Sequence, residues 1–321
     1  MQKPIRIELP TKFAMDTVNA YLFTEPEITL VDCGEKSEES WEKLNLELKQ
    51  HGLKIQDIQK IIITHAHVDH MGQAARLAAH SHAEVWVSDY VYEWAVNLAQ
   101  NWAYRIDFLE NITIQGGLSD GEQKMTRQGM EYILGHWDPI PAERIRTFSP
   151  TGNIQIGHQH WEVIYAPGHA ITQTCFYEPE SKQFLSADML LYITPVAVIE
   201  SPLDRSTERI PGLVQMLESY QKVAALDILD VYPGHREPFQ GHRALIEHQV
   251  TRIHNRKEQC YDLIKAGHRT VKSIFEVLYK DTPPQFKIPG FAMAIGYLDL
   301  LLQEGRIANP LVDGVWQFEI L

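Results

Sequence analysis

At 321 residues with 44% apolar side chains, the chain is long enough for one large α/β domain plus a smaller appendage and can fill a real core, which excludes a disordered chain. A formal charge of −13 opposes attraction to phosphate backbones and anionic membranes, so neither nucleic acid nor a membrane is an expected partner. Three cysteines far apart in the sequence exclude a disulfide framework, and without a long apolar span or a secretory-type leader the expectation is a cytoplasmic enzyme.

In chain order, residues 19–33 (NAYLFTEPEITLVDC) read as two apolar strands joined by a turn at Glu25-Pro26-Glu27. Ser37 to Gly52 has helical spacing, with Trp41, Leu44, Leu46 and Leu48 among charges and Gly52 as a stop. The β-branched run at 58–64 (IQKIIIT) predicts a strand buried on both faces, and it ends on THAHVDH, residues 64–70. Gln73 to His80 then reads as helix and Ala83 to Val87 as strand, an alternation that predicts a layered α/β architecture.

Residues 89–150 break the rhythm. They are helix-prone and aromatic (Tyr90, Tyr92, Trp94, Trp102, Tyr104, Phe108, Tyr132, Trp137), and such a helical insertion can form a lid or substrate pocket as well as its own core. Strands resume over 152–165, 173–178 and 183–187, followed by a helix from Leu213 to Ala225 and a strand from Ile228 to Tyr232. Beyond Gly241, three helices are predicted over Ala244 to Lys265, Thr270 to Lys280 and Phe291 to Gln303, with Thr270 as N-cap, Gly305 as stop and a hairpin signal at Asp313-Gly314. Three helices and a hairpin suggest a winged-helix-like subdomain at 241–321 behind a catalytic domain at 1–240.

In THAHVDH, side chains two apart in an extended loop lie on one side, so His65 and His67 can converge on one metal ion while Asp69 and His70 face a neighbouring position. Imidazole and carboxylate suit zinc and related divalent ions. His169 in APGHA, Asp188 in SAD and His235 in YPGH each stand just past a strand, where sites assemble in layered α/β folds. HSH at 80–82 and HQH at 158–160 lack the adjacent Asp-His and the strand-end setting, and read as surface polar residues. Cys33 reads as a small buried hydrophobe.

Together THAHVDH, PGHA, Asp188 and the PGH of 233–235 resemble the metallo-β-lactamase superfamily over roughly residues 17–240. The resemblance implies an αβ/βα four-layer sandwich with a dinuclear site: His65, His67 and His169 on one ion, Asp69, His70 and His235 on the other, and Asp188 bridging. Asp32 of VDCG would support the metal loops. The implied cofactors are two divalent ions, zinc first, with iron or manganese as alternatives. Aspartate at 188, where several true β-lactamases have cysteine, points to the side of the superfamily that holds glyoxalase II, lactonases and nucleases. GYLDLLLQEGRI at 296–307 resembles the winged-helix appendage of a branch containing hydroxyacylglutathione-hydrolase-like proteins and an endoribonuclease. Ala187 stands where many relatives have Gly, and Ala170 where Ser or Thr often follows the third histidine.

The chemistry implied is metal-assisted hydrolysis without a serine or cysteine nucleophile, since coordination brings the pKa of water from about 15.7 to roughly 7. Asp69 would be the catalytic carboxylate, and Tyr192 is a candidate substrate contact. The expected substrate is a small molecule, a thioester first and a lactone second, with a phosphodiester or RNA as the third choice. A non-enzymatic sensor of a ligand or nucleic acid is the alternative class. Residues 241–321 hold 10 Lys or Arg against 9 Asp or Glu, leaving −14 for residues 1–240. A DNA-reading winged helix needs a basic face, so packing on the catalytic domain or in a homodimer is expected instead.

Overall fold

The computed structural model describes residues 2–13, 15–192, 199–206, 208–283 and 286–321. Its first sheet has the order β1 (Ile5–Pro10), β2 (Thr17–Phe23), β3 (Thr29–Val31), β4 (Lys60–Ile63), β5 (Glu84–Ser88), β6 (Ile145–Phe148). The first three strands are antiparallel, and β3 to β6 are parallel. The second sheet runs β11 (Asp230–Pro233), β10 (Gln183–Ala187), β9 (Thr174–Glu178), β8 (Gln159–Tyr165), β7 (Gly152–Ile156), with β10 and β11 parallel and the other neighbours antiparallel.

Strand alternation builds the layers. In β2, Val18, Ala20 and Leu22 pack outward with Leu44 and Leu48 of α1 (Glu38–Gln50) and Leu77 of α3 (Ala74–His80). Tyr21 and Phe23 face the second sheet, in one cluster with Trp161 and Phe176. From β9, Cys175 and Tyr177 turn the other way, onto α7 (Gly212–Ala224), α8 (His242–Lys265) and α10 (Lys287–Gln303). The order helix, sheet, sheet, helix is the αβ/βα sandwich the sequence led us to expect.

Two strands go beyond the sequence reading. In β1 the isoleucine and leucine at 7 and 9 are fully buried, which adds an edge strand beside β2. The insertion also proves shorter than 89–150: its helices α4 (Tyr92–Val96), α5 (Leu98–Gln115) and α6 (Asp120–Leu134) end well before β6, which pairs with β5. The exposed Arg146 and Thr147 between buried Ile145 and Phe148 conceal that strand from a period-two reading.

Past β11, α8, α9 (Val271–Leu278) and α10 follow as expected, and Thr270 Oγ1 caps α9 by accepting from Ser273 N at 3.1 Å. Two short antiparallel pairs close the chain: the hairpin of β13 (Leu311–Val312) with β14 (Val315–Trp316), enclosed by β12 (Ile307–Ala308) paired with β15 (Glu319–Ile320). Helix α10 is buried continuously from Gly290 to Leu301, and a helix apolar all round belongs in an interior. Among the described residues no helix is long and apolar enough to cross a membrane.

Candidate metal centre

Four strand ends deliver the polar side chains to one place. After β4 the chain bends over Thr64, His65 and Ala66, where an extended loop is expected; His67 alone is extended (φ −108°, ψ 149°), and one helical turn, α2 (Val68–Met71), then carries Asp69 and His70. His169 sits in the loop between β8 and β9, Asp188 directly after β10, and His235 after β11. The loops are tied together by backbone groups. Ala66 N donates to Thr172 Oγ1 at 3.0 Å and Thr174 N to Thr64 O at 2.9 Å. Asn19 Nδ2 and Tyr21 Oη donate to Pro233 O at 2.9 and 2.7 Å.

Two glycines permit the close approach. A Cβ on Gly168, at φ +138°, would meet the Met216 backbone, and one on Gly234 would lie 2.1 Å from Asp188 Oδ1.

Three overlapping groups result, each with ligand atoms within 4.8 Å of one another: His65, His67 and His169; His65, His70 and Asp188; Asp69, His70 and His235. Asp188 stands between them. Its Oδ1 is 3.3 Å from His70 Nε2, and its Oδ2 is 3.3 Å from His169 Nε2 and 3.2 Å from His235 Nε2. The other ring nitrogens are already engaged: Thr64 Oγ1 lies 2.9 Å from His65 Nδ1, Asp32 Oδ2 2.7 Å from His70 Nδ1, and Thr17 O 2.5 Å from His235 Nδ1. Asp32 thus stands behind His70, and it also accepts from Thr64 N and Oγ1 at 2.9 and 2.8 Å.

This pattern fits a cation. His65 Nε2, His70 Nε2 and Asp188 Oδ1 are buried without a hydrogen-bond partner, and such groups cost free energy unless something meets them. Burial pushes the His65 imidazole well below its ordinary range, helped by repulsion from His70 and His67. For His70 burial works in the same direction, but Asp188 and Asp32 on either side carry its pKa well above normal. Burial alone would raise the Asp188 carboxyl; His235, His70 and His169 hold it well below the usual carboxylate range instead. Asp69 and His67 are the more open members, with 15% and 17% of their side chains exposed, so the site opens on their side.

Tyr192 is 68% exposed, and its described ring contact is edge-on to Phe239 at 5.6 Å. It is not a member of the three groups. His80, His82, His158 and His160 are exposed, as expected, and Cys33, Cys175 and Cys260 are free and buried. Sequence reasoning missed Glu200, whose Oε1 lies 3.4 Å from His67 Nε2 and accepts from Arg105 Nη1 of α5 at 2.6 Å. Burial would raise the Glu200 carboxyl, but Arg105 and His67 bring it down to about 2.

The model of the Metallo-beta-lactamase superfamily matches residues 15–235. Probable metallo-hydrolase YqjP of Bacillus subtilis (strain 168) is 26% identical over 314 residues, covering 95% of this chain and 94% of its own. Among solved structures, a metallo-beta-lactamase family protein from Thermus thermophilus superposes with a TM-score of 0.81 at 20% identity, over 99% of this chain and 98% of that one. A beta-lactamase domain protein from Burkholderia ambifaria gives 0.80 at 22% identity, over 100% and 93%. The shared fold therefore extends through the C-terminal helices.

Proposed function

The chain belongs to the metallo-β-lactamase superfamily, and from that premise we propose that it is a dinuclear metal-dependent hydrolase of a small carbonyl substrate. A thioester of the hydroxyacylglutathione-hydrolase type is the first choice and a lactone the alternative within the same chemistry. The observation that carries this reading is the convergence of seven side chains from four strand ends with unpartnered buried atoms among them. His65, His67 and His169 would hold one ion, Asp69, His70 and His235 the second, and Asp188 would bridge. Imidazole with carboxylate is a donor set that suits zinc. Bound there, the ions supply Lewis acidity and lower the pKa of water to roughly 7.

The protein's own groups do the rest. Asp69, at the open rim with its Oδ2 3.5 Å from His235 Nε2, orients the attacking water, accepts its proton and returns it to the leaving group. Asp32 holds the His70 Nδ1–H and so keeps the Nε2 lone pair turned toward the ligand position. A cavity of ≈ 120 Å³ beside α4 and α5 has a mixed lining, with Tyr90, Trp94, Tyr104 and Leu203 beside Asp89, Glu93, Asn101 and Arg205. Residues 1–240 are taken as the catalytic domain and 241–321 as a winged-helix-like C-terminal subdomain. Three of the ten Lys and Arg side chains there, Lys257, Lys272 and Arg306, are paired with Glu304, Glu122 and Glu258.

Elemental analysis of protein purified without chelator, with a panel of thioesters, lactones, phosphodiesters and RNA, tests the reading. Two metals per chain and thioester turnover are expected; less than one metal, with no hydrolysis after metal addition, would overturn it. Asp188→Ala should lose one metal and cut turnover by orders of magnitude while the circular dichroism spectrum is retained.

A further inference from the structure

A histidine that binds metal through one ring nitrogen ordinarily donates the other N–H to a carboxylate or carbonyl, which fixes its tautomer. His65, His70 and His235 have a partner on that nitrogen, in turn the Thr64 hydroxyl, the Asp32 carboxylate and the Thr17 carbonyl. For His67, Nδ1 lies 3.0 Å from His169 Nε2, inside the cluster, and Nε2 lies 3.4 Å from Glu200 Oε1.

Glu200 is 7% exposed and anchored at both oxygens. Its Oε1 accepts from Arg105 Nη1 at 2.6 Å, and its Oε2 accepts from the backbone N–H of Ile171, two residues past His169. Arg105 comes from α5 and lies 5.8 and 5.7 Å from the ring centroids of Trp94 and Trp102. One carboxylate thus joins the helical insertion, the His67 loop and the His169 loop.

Resting on the two-metal reading, we propose that Glu200 is a positioning residue for His67: it receives the Nε2–H, so that Nδ1 presents its lone pair to the ion shared with His169, and Arg105 is the strut that holds it there. The insertion then shapes the metal site directly as well as walling a pocket.

Histidine-selective ¹⁵N NMR of the metal-free and zinc-loaded full-length protein, with zinc affinities from competition against a chromophoric chelator, tests this. The wild type should show His67 as the Nε2–H tautomer with or without zinc. Glu200→Ala should weaken one of two zinc ions by roughly 10–100-fold and leave the other. Glu200→Gln, which keeps an acceptor oxygen, should recover part of that loss. Unchanged affinity for both ions in folded Glu200→Ala overturns the proposal while leaving the two-metal reading intact; a wild type that binds no zinc overturns both. Should the alanine variant not fold, an Nδ1–H tautomer for His67 in metal-free wild type decides against the proposal by itself.

Discussion

At the residue scale, the positions that matter most are those whose backbone is set by the need to aim a neighbour. Ala187 has φ +44°, a left-handed conformation that costs an L-residue about 1–2 kcal/mol. In the sequence it is only a departure from a glycine; in the structure β10 bulges between Leu185 and Ala187, and the chain then places Asp188 in the site. Ala187→Gly relieves that strain but adds unfolded-state entropy, so a net change within about 1 kcal/mol and an intact site are expected. Ala187→Val puts a branched side chain where φ is positive and should lose about 2 kcal/mol in urea unfolding. Equal stability of all three forms would show that the turn is unstrained. Gly234→Ala is the sharper change, because its methyl would lie 2.1 Å from Asp188 Oδ1 and 2.8 Å from His70 Cε1, both buried. Metal content below two per chain and turnover lowered by orders of magnitude, with an unchanged circular dichroism spectrum, are expected; wild-type metal content would refute the crowding argument. The histidines were legible because four candidate ligands fall within one short loop. Glu200 was not, since its meaning depends on Arg105, 95 positions away.

At the element scale, the helix and strand patterns were legible wherever burial is one-sided or continuous, as in β4 and α1. They failed at β6, whose two central residues are exposed, and at β1, an edge strand whose Ile5, Ile7 and Leu9 alternate with polar residues over only one period-two run. Nor does periodicity show how elements dock. Helix α6 has no buried residue, and a capping box joins Ser119 and Glu122 at its start. The same Glu122 carboxylate accepts from Lys272 Nζ of α9 at 2.7 Å, joining the insertion to the C-terminal helices. Burial would raise the Glu122 carboxyl, but hydrogen bonds from Lys272 and Ser119 outweigh it and bring it down to about 2. A carboxylate with a lowered folded-state pKa contributes stability above its ordinary value, and that contribution disappears as pH falls from about 4.5 to 2. With 42% of the side chain exposed, solvent screening limits the effect to at most about 1 kcal/mol. Wild type should therefore unfold at a higher temperature than Glu122→Gln at pH 7, and the gap should close near pH 2. A gap that persists there would mean that something other than the carboxylate charge sets it.

At the scale of the whole molecule, alternating strands and helices made a layered α/β fold legible, and the strand-end histidines made its superfamily legible by resemblance. The depth at which the last 81 residues sit was not. The C-terminal helices join α7 and the second sheet in one apolar cluster, including Leu213, Met216, Tyr220 and Val223 of α7 with Ile253, Ile295 and Leu298 beyond. Gly296 of α10 lets the two helices close, since a Cβ there would be 2.8 Å from Leu213 Cβ. Asp299 of α10 is paired with Arg209, just ahead of α7. Burial raises the Asp299 carboxyl, and Arg209 opposes that shift. Removing Arg209 alone, as in Arg209→Leu, leaves a buried acid unpaired and should cost about 3–5 kcal/mol, whereas replacing both partners with apolar residues should recover most of the loss. Ending the chain at residue 240 is the larger version of the same experiment. It would uncover the outward face of α7 and of β9, an apolar surface too large for a soluble monomer to expose. Such a truncation should bind a hydrophobic dye, unfold without a cooperative transition and hold neither metal tightly, because α7 packs beside Gly168 and so sets the His169 loop. A cooperative melt with two metals retained would instead make residues 1–240 an independent domain and reduce the C-terminal helices to a cover.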